Sequence, residues 1–290
     1  LTDGQRHIAL EGCFEWPAHV RGALAVTNLN TRFLDAFLTR RLPMATLESL
    51  AAEVDGGRGP ARLTVAAHGT WQAAPDLPVR MNARLRGDDC GLQIAELRMF
   101  EREAEALRIE GRIPFVCGFL ETGRLWHLSS SQSLELDFAL APTPTLQRFG
   151  LERLGFTAAD LRCGGSLSGT LDAPVGQVRV RASSLHALTN LPLAGWLPRV
   201  DNVDLTLQAG ADHVRLDPAR FDVEGAPLSL SVAMPVSRDF WTTALRGAFK
   251  ADPATLSGSV RLDGLPLGKL ASGLVPELRP EGTLSADVQL

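Results

Sequence analysis

The sequence predicts a mainly β protein, an elongated antiparallel β-sheet that is curled into a groove and carries short helices, about one per repeat. Three observations support this prediction. Apolar and polar residues alternate with period two, turn-forming residues separate the alternating segments at short intervals, and the same order of elements returns about every 110 to 120 residues.

The alternating segments place apolar side chains on one face of a strand and polar side chains on the other. This one-sided pattern is typical of antiparallel sheets, whereas the parallel sheets of α/β enzymes are buried on both faces. The clearest segments are residues 134–140, 178–182, 203–209, 221–224, 228–232 and 260–263.

Glycine, proline and aspartate predict turns between these strands. The turns are expected at residues 172–174, 210–212, 225–227 and 252–253 and at Gly264. The charged stretch 95–107 has the propensity for a helix, but we interpret it as two strands around a charged turn. Residues 164–169 predict a turn that enters a strand, and the glycine cluster at 56–59 predicts a loop.

Three stretches have helical spacing instead, and each predicts a helix of about three turns. Their apolar stripes span residues 34–42, 146–154 and 267–274, and Pro43 and Pro276 close the first and the third. Each stripe follows an alternating strand and precedes a strand that opens with glycine.

The stripes indicate an internal repeat. They start 112 and 121 residues apart, and the glycines that open the following strands, Gly59, Gly165 and Gly282, lie 106 and 117 residues apart. We therefore predict that residues 1–22 end one repeat, that 23–133 and 134–259 are two β-groove repeats, and that 260–290 begin a third, truncated one.

Charge and hydropathy limit the class of partner. The net charge is −4, from 33 acidic against 29 basic residues, which offers no basic field for nucleic acid. No apolar run approaches the roughly 20 residues that span a bilayer. Both ends read as cuts within a longer chain, so we expect any membrane anchor to lie outside these residues.

The sequence contains no pattern that predicts catalysis, a metal site or a cofactor. The six histidines have no paired spacing and are predicted to be surface or strand residues. Glu101, Glu103, Glu105 and Glu110 are predicted to be a solvated turn. The four cysteines have no zinc-site spacing, and either disulfides or free buried thiols are compatible with their number.

Residues 167–174, 262–278 and 280–286 carry a recurring order of motifs. Leucine-proline-leucine precedes a short helix, a Gly-x-Leu strand follows, and then Gly-Thr-Leu-x-x-Pro. This order resembles the TamB/AsmA-like family of Gram-negative envelope proteins over about residues 20 to 290. A counterpart of the family's C-terminal region, which meets an outer-membrane partner in TamB, is not visible.

The resemblance implies a periplasmic segment of a protein anchored in the inner membrane by a part outside this chain. It implies that a hydrophobic groove conducts or shields phospholipid acyl chains between the two membranes, or assists outer-membrane protein assembly. The implied partners are a phospholipid or other apolar ligand and an outer-membrane assembly protein.

The predicted lining residues of this groove are apolar members of three alternating strands. They are Leu134, Leu136, Phe138, Val203, Leu205, Leu207, Leu228, Leu230 and Val232. The same alternation would also suit the closed core of a β-sandwich. Two other functions therefore stay open, an adhesion or carbohydrate-binding module and a β-solenoid hydrolase with paired carboxylates.

Overall fold

The computed structural model of the chain describes residues 2–3, 6–15, 19–32, 45–57, 61–74, 77–117, 126–130, 132–144, 156–187, 200–237, 240–241, 243, 255–267 and 281–289. Nineteen strands make up almost all regular structure in these residues. Seventeen of them belong to antiparallel sheet, and the other two form a separate pair. The prediction of a mainly β, antiparallel fold is confirmed.

The strands are β1 (Thr2–Asp3), β2 (Arg6–Glu15), β3 (His19–Asn30), β4 (Ala45–Gly56), β5 (Arg62–Ala74), β6 (Leu77–Asp88), β7 (Gly91–Glu101), β8 (Ala104–Ile113), β9 (Phe115–Cys117), β10 (Trp126–Leu128), β11 (Ser133–Leu140), β12 (Phe156–Ala159), β13 (Arg162–Thr170), β14 (Ala173–Ala187), β15 (Val200–Ala209), β16 (His213–Val223), β17 (Ala226–Pro235), β18 (Ser257–Pro266) and β19 (Thr283–Gln289).

The chain divides into two compact units. Unit 1 consists of Leu1–Phe138 and Ser168–Leu171, and unit 2 of Ala139–Leu167 and Asp172–Leu290. In unit 1, β2 to β8 form a meander in which each strand pairs antiparallel with the next. The short pair β9–β10 packs against β6 and β7.

Unit 2 contains a second meander, β14 to β19, in which consecutive strands again pair antiparallel. Strand β12 also pairs with β14. Strands of nine to fifteen residues are common here, longer than the alternating segments of the sequence indicated. Register shifts in the pairs β15–β16, β16–β17 and β18–β19 interrupt the alternation without ending the strands.

The interpretation of residues 95–107 as two strands around a charged turn is confirmed. Glu101 is only 3% exposed, so the prediction that it is solvated is wrong. Strand β7 ends at Glu101 and β8 begins at Ala104. Arg102 and Glu103 between them both have positive φ, 48° and 71°. Positive φ at both central residues defines the type I′ turn, whose twist matches that of the strands it joins.

The turns predicted at Gly264 and around Gly165 are wrong, because both glycines lie inside strands. Gly264, with φ of 68°, lies in β18 where the register shifts between Leu262 and Leu265, so it forms a bulge. Gly165 lies inside β13, where a Cβ atom would stand 2.2 Å from the carbonyl oxygen of Gln177. The close approach of β14 excludes a side chain at that position.

The predicted helices at 34–42 and 146–154 lie outside the described residues, and of the third only Leu267 is described. The described part of the chain contains almost no helix. None of its helices is long and apolar enough to cross a bilayer.

Buried apolar side chains in the described residues are mostly small. One cluster in unit 2 joins Ala158, Ala182 and Val203, and another joins Val223, Ala226 and Leu265. Val79 and Pro114 are the largest described side chains that are fully buried. Most large apolar side chains of the meanders are therefore only half-buried on one face of the sheet.

Candidate functional site

One apolar row crosses all six strands of the unit 2 meander. Its members stand directly opposite one another from strand to strand: Val180, Leu205, Ala219, Leu230, Val260 and Val288. At about 4.8 Å per strand the row is about 24 Å long. Ala219 is fully buried, Val288 is 48% exposed, and the other four side chains are half-buried.

The neighbouring row, on the opposite face of the same six strands, is entirely polar. Its members are Arg181, Asp204, Arg220, Ser229, Arg261 and Asp287. Because successive side chains of a strand point to opposite faces, the two rows give this sheet one apolar and one charged face. This amphipathic arrangement extends over the whole meander.

The predicted lining residues of β15 and β17 lie on this apolar face. Leu205 and Leu230 belong to the row itself. In the adjacent row, Leu207 of β15 and Val232 of β17 stand on either side of Leu216 of β16. Leu228 pairs with Phe221 and Leu262. Val203 is 7% exposed and packs against Ala158 and Ala182, so it contributes to the core more than to an open surface.

The other three predicted residues, Leu134, Leu136 and Phe138, lie on β11 in unit 1. Leu134 is buried and the other two are half-buried, while Glu135 and Asp137 between them are exposed. The sequence therefore identified the apolar side of this strand correctly. Gly111 of β8 lies against the backbone of Glu135 and Leu136.

Unit 1 has an apolar row of its own that the sequence did not reveal. It crosses β2 to β8 through Ile8, Val26, Leu50, Ala67, Ala83, Leu97 and Ile109. Alanines occupy both faces of β4 and β5, for example at Ala51 and Ala52, so the period-two contrast is weak there. The register between strands is what brings these residues into line.

The apolar face of unit 1 contains a depression of about 240 Å³. Gly69 lies between Leu47 and Met81 in one cross-strand row, and a Cβ atom there would stand 2.7 Å from the carbonyl oxygen of Thr46. Trp71 lines the same depression and Met81 is 38% exposed.

The polar face of unit 1 carries a network of hydrogen bonds and ion pairs. His68 Nε2 lies 2.9 Å from Glu48 Oε2, and the Thr70 hydroxyl donates to Glu48 Oε1 at 2.7 Å. His68 Nδ1 also pairs with Asn82 Oδ1. Farther along, Arg98 Nη2 donates to Glu110 Oε1 at 3.2 Å.

An ion pair on the polar face of unit 2 joins β14 to β15. The Arg179 guanidinium donates from Nε and Nη2 to the two oxygens of Asp204, at 2.8 and 2.6 Å. This bidentate contact holds the pKa of Asp204 below its usual range, chiefly through the hydrogen bond and further through the charges of Arg179 and Arg181.

Comparison with protein families, with curated proteins and with solved structures found no significant match to this chain. The resemblance to the TamB/AsmA-like family therefore depends on the order of the sequence motifs.

The histidines and cysteines show no catalytic arrangement among the described residues. All six histidines lie in strands, as predicted, and His19 and His213 face Asp55 and Asp212. Cys13, Cys90 and Cys163 are free, but Cys13 and Cys90 are exposed, so the expectation of buried thiols is wrong for these two. Burial raises the pKa of the Cys163 thiol.

A single group of three possible metal ligands occurs in the described residues: Asp88, Asp89 and Cys90, at the turn between β6 and β7. The Cys90 amide donates to Asp88 Oδ1 at 2.8 Å. This hydrogen bond is that of an ordinary Asx turn, and it gives Asp88 a structural role in the turn.

Proposed function

We propose that the apolar face of this sheet holds the acyl chains of phospholipids, and that the chain is a periplasmic segment of an inner-membrane-anchored, TamB/AsmA-like envelope protein. In this proposal the face forms a hydrophobic groove that conducts or shields lipid between the inner and outer membranes. Assistance to an outer-membrane assembly protein is the related role that the same resemblance suggests.

The in-register apolar row of unit 2 is the observation that carries the proposal. A row about 24 Å long, mostly half-buried and backed by a charged face, offers a continuous apolar surface. The row is partly accessible to solvent, because four of its side chains are half-buried and Val288 is 48% exposed. The predicted lining residues Leu205 and Leu230 lie at its centre.

The energetics favour an acyl chain on this surface. Removing apolar area from water contributes about 25 cal/mol per Å², or about 0.8 kcal/mol per methylene. A lipid tail of ordinary length would therefore prefer the row to water by several kcal/mol even if only part of it were covered. The uniform lining favours movement along the row over fixation at one point.

The test is photo-crosslinking of the 290-residue chain with phospholipid that carries a diazirine in its acyl chain. The double variant Leu205→Glu with Leu230→Glu places two charges on the apolar row. We expect crosslinking to β14–β19 to fall at least about tenfold, because burying an unpaired carboxylate costs several kcal/mol. Circular dichroism should show that the strand content is retained.

The matched control is Thr206→Glu with Ser229→Glu, which puts the same charges on the polar face of the same two strands. Ser229 lies between Arg220 and Arg261, so a carboxylate there has cationic neighbours. Crosslinking should stay at the wild-type level. If the Leu205 and Leu230 variant unfolds while the control does not, the apolar face is a closed core and the proposal fails.

A further inference from the structure

The polar face of unit 1 contains a depression of about 530 Å³ that the lipid proposal does not use. It extends from β3 to β7 on the face opposite to Val26, Leu50 and Ala67. The depression is open to solvent, because Ala25, Ala51 and Ala66 within it are exposed.

The floor and rim of the depression differ in chemistry. Ala25, Ala51 and Ala66 stand in register on three neighbouring strands and present methyl groups as the floor. The rim carries hydroxyl, imidazole, amide, guanidinium and carboxylate groups, from Thr27, Ser49, His68, Asn82, Arg84 and Glu96.

Four of the six rim side chains make polar contacts with one another or with Glu48. His68 is fixed between Glu48 and Asn82, with its Nε2 atom 2.9 Å from Glu48. Arg84 Nε lies 3.5 Å from Glu96 Oε2. These contacts join four strands, and side chains held in this way lose little conformational freedom on binding a ligand.

The charges of the rim are balanced by close partners. Arg84 and Arg98 both face Glu96, at 3.5 and 3.7 Å, and His68 faces Glu48. An anionic or cationic ligand would have to displace one of these pairs. A neutral ligand that offers both donors and acceptors could instead bind the outer edges of the paired groups.

We propose that this depression binds a neutral saccharide of one or two rings. The C–H face of a pyranose ring would pack on the alanine methyl groups, and its hydroxyl groups would exchange hydrogen bonds with the rim. This inference is independent of the lipid proposal, because the depression lies on the polar face of unit 1 and the lipid proposal rests on the apolar row of unit 2.

The test is saturation-transfer difference NMR on the 290-residue chain, with cellobiose and N,N′-diacetylchitobiose as probes. The variant Ala51→Trp fills the depression from its floor, and Ala51 is exposed, so the strand should tolerate it. The control Ala23→Trp places the same side chain at an exposed position of β3 outside the depression. We expect Ala51→Trp to lower the saturation transfer at least about tenfold and Ala23→Trp to leave it unchanged.

Three outcomes would overturn the proposal. The first is that neither disaccharide produces a transfer signal, and the second is that the signal survives Ala51→Trp. The third is that inorganic phosphate binds the wild type more tightly than both disaccharides, as measured by the ³¹P linewidth. The lipid crosslinking assay should give the wild-type result with Ala51→Trp, so the two proposals fail separately.

Discussion

At the residue scale, several glycines stand where a neighbouring strand comes too close for a side chain. A Cβ atom on Gly258 would lie 2.2 Å from the carbonyl oxygen of Ser231 and 3.1 Å from the Cα atom of Val232. Both obstacles belong to the backbone of β17, so no side-chain rotation can relieve the contact. Only a shift of the strand could accommodate an alanine.

We therefore expect Gly258→Ala to lower the free energy of unfolding by about 2 kcal/mol, measured by urea denaturation. Gly22→Ala is the control, because its new Cβ atom would meet only Val54 Cγ1, at 3.5 Å, and the Glu11 carbonyl oxygen at 3.7 Å. The control should change the free energy by less than about 0.5 kcal/mol. Equal effects of the two variants would show that the strands are not this closely spaced.

The ion pair of Asp204 predicts a pH effect at the same scale. Because the pKa of Asp204 is lowered in the folded chain, the pair contributes stability above the ordinary carboxyl range, near pH 4, and loses it as the pH falls through the lowered value. In Arg179→Gln the pKa of Asp204 should rise towards its ordinary value. Carboxyl ¹³C NMR titration measures it, and Arg261→Gln should leave it unchanged.

At the element scale, the β7–β8 hairpin uses residues that are poorly suited to its turn. Arg102 and Glu103 both adopt positive φ, a conformation that side chains with a Cβ atom rarely take. Asparagine followed by glycine is the pair that a type I′ turn favours. The present turn is therefore strained relative to that pair.

The double substitution Arg102→Asn with Glu103→Gly should raise the free energy of unfolding by about 1 kcal/mol, as measured by thermal denaturation. The control, Arg102→Ala with Glu103→Ala, removes the same charges but keeps the Cβ atoms, so no gain is expected. A similar gain from both pairs would assign the effect to charge and contradict the turn argument.

At the scale of the whole molecule, both meanders have a half-buried apolar face. A ligand that binds only the folded chain raises its stability, by about 2.7 kcal/mol at a concentration one hundred times the dissociation constant. A lysophospholipid below its critical micelle concentration should therefore raise the thermal midpoint of the wild type. The Leu205→Glu and Leu230→Glu variant, which leaves the apolar face of unit 1 unchanged, should show a smaller shift. A shift as large as that of the wild type would contradict lipid binding to the apolar row of unit 2.

The sequence predicted much of the architecture because the relevant signal is local. Period-two alternation identified β11, β15 and β17 and the apolar side of each, and the charged stretch after residue 95 was recognised as a hairpin. The polar contacts were different. His68, Glu48 and Asn82 are each separated by 14 to 34 positions in the chain, and only the pairing of β4, β5 and β6 brings them together.

By itself, the sequence determined the fold class and the apolar side of the strongly alternating strands, because alternation acts within one strand. Tertiary structure decided the register, and register aligned Val180 with Leu205, Ala219 and Leu230 into one apolar row. It also placed Gly264 in a bulge and the alanines of β3 to β5 side by side, since both depend on how neighbouring strands are offset.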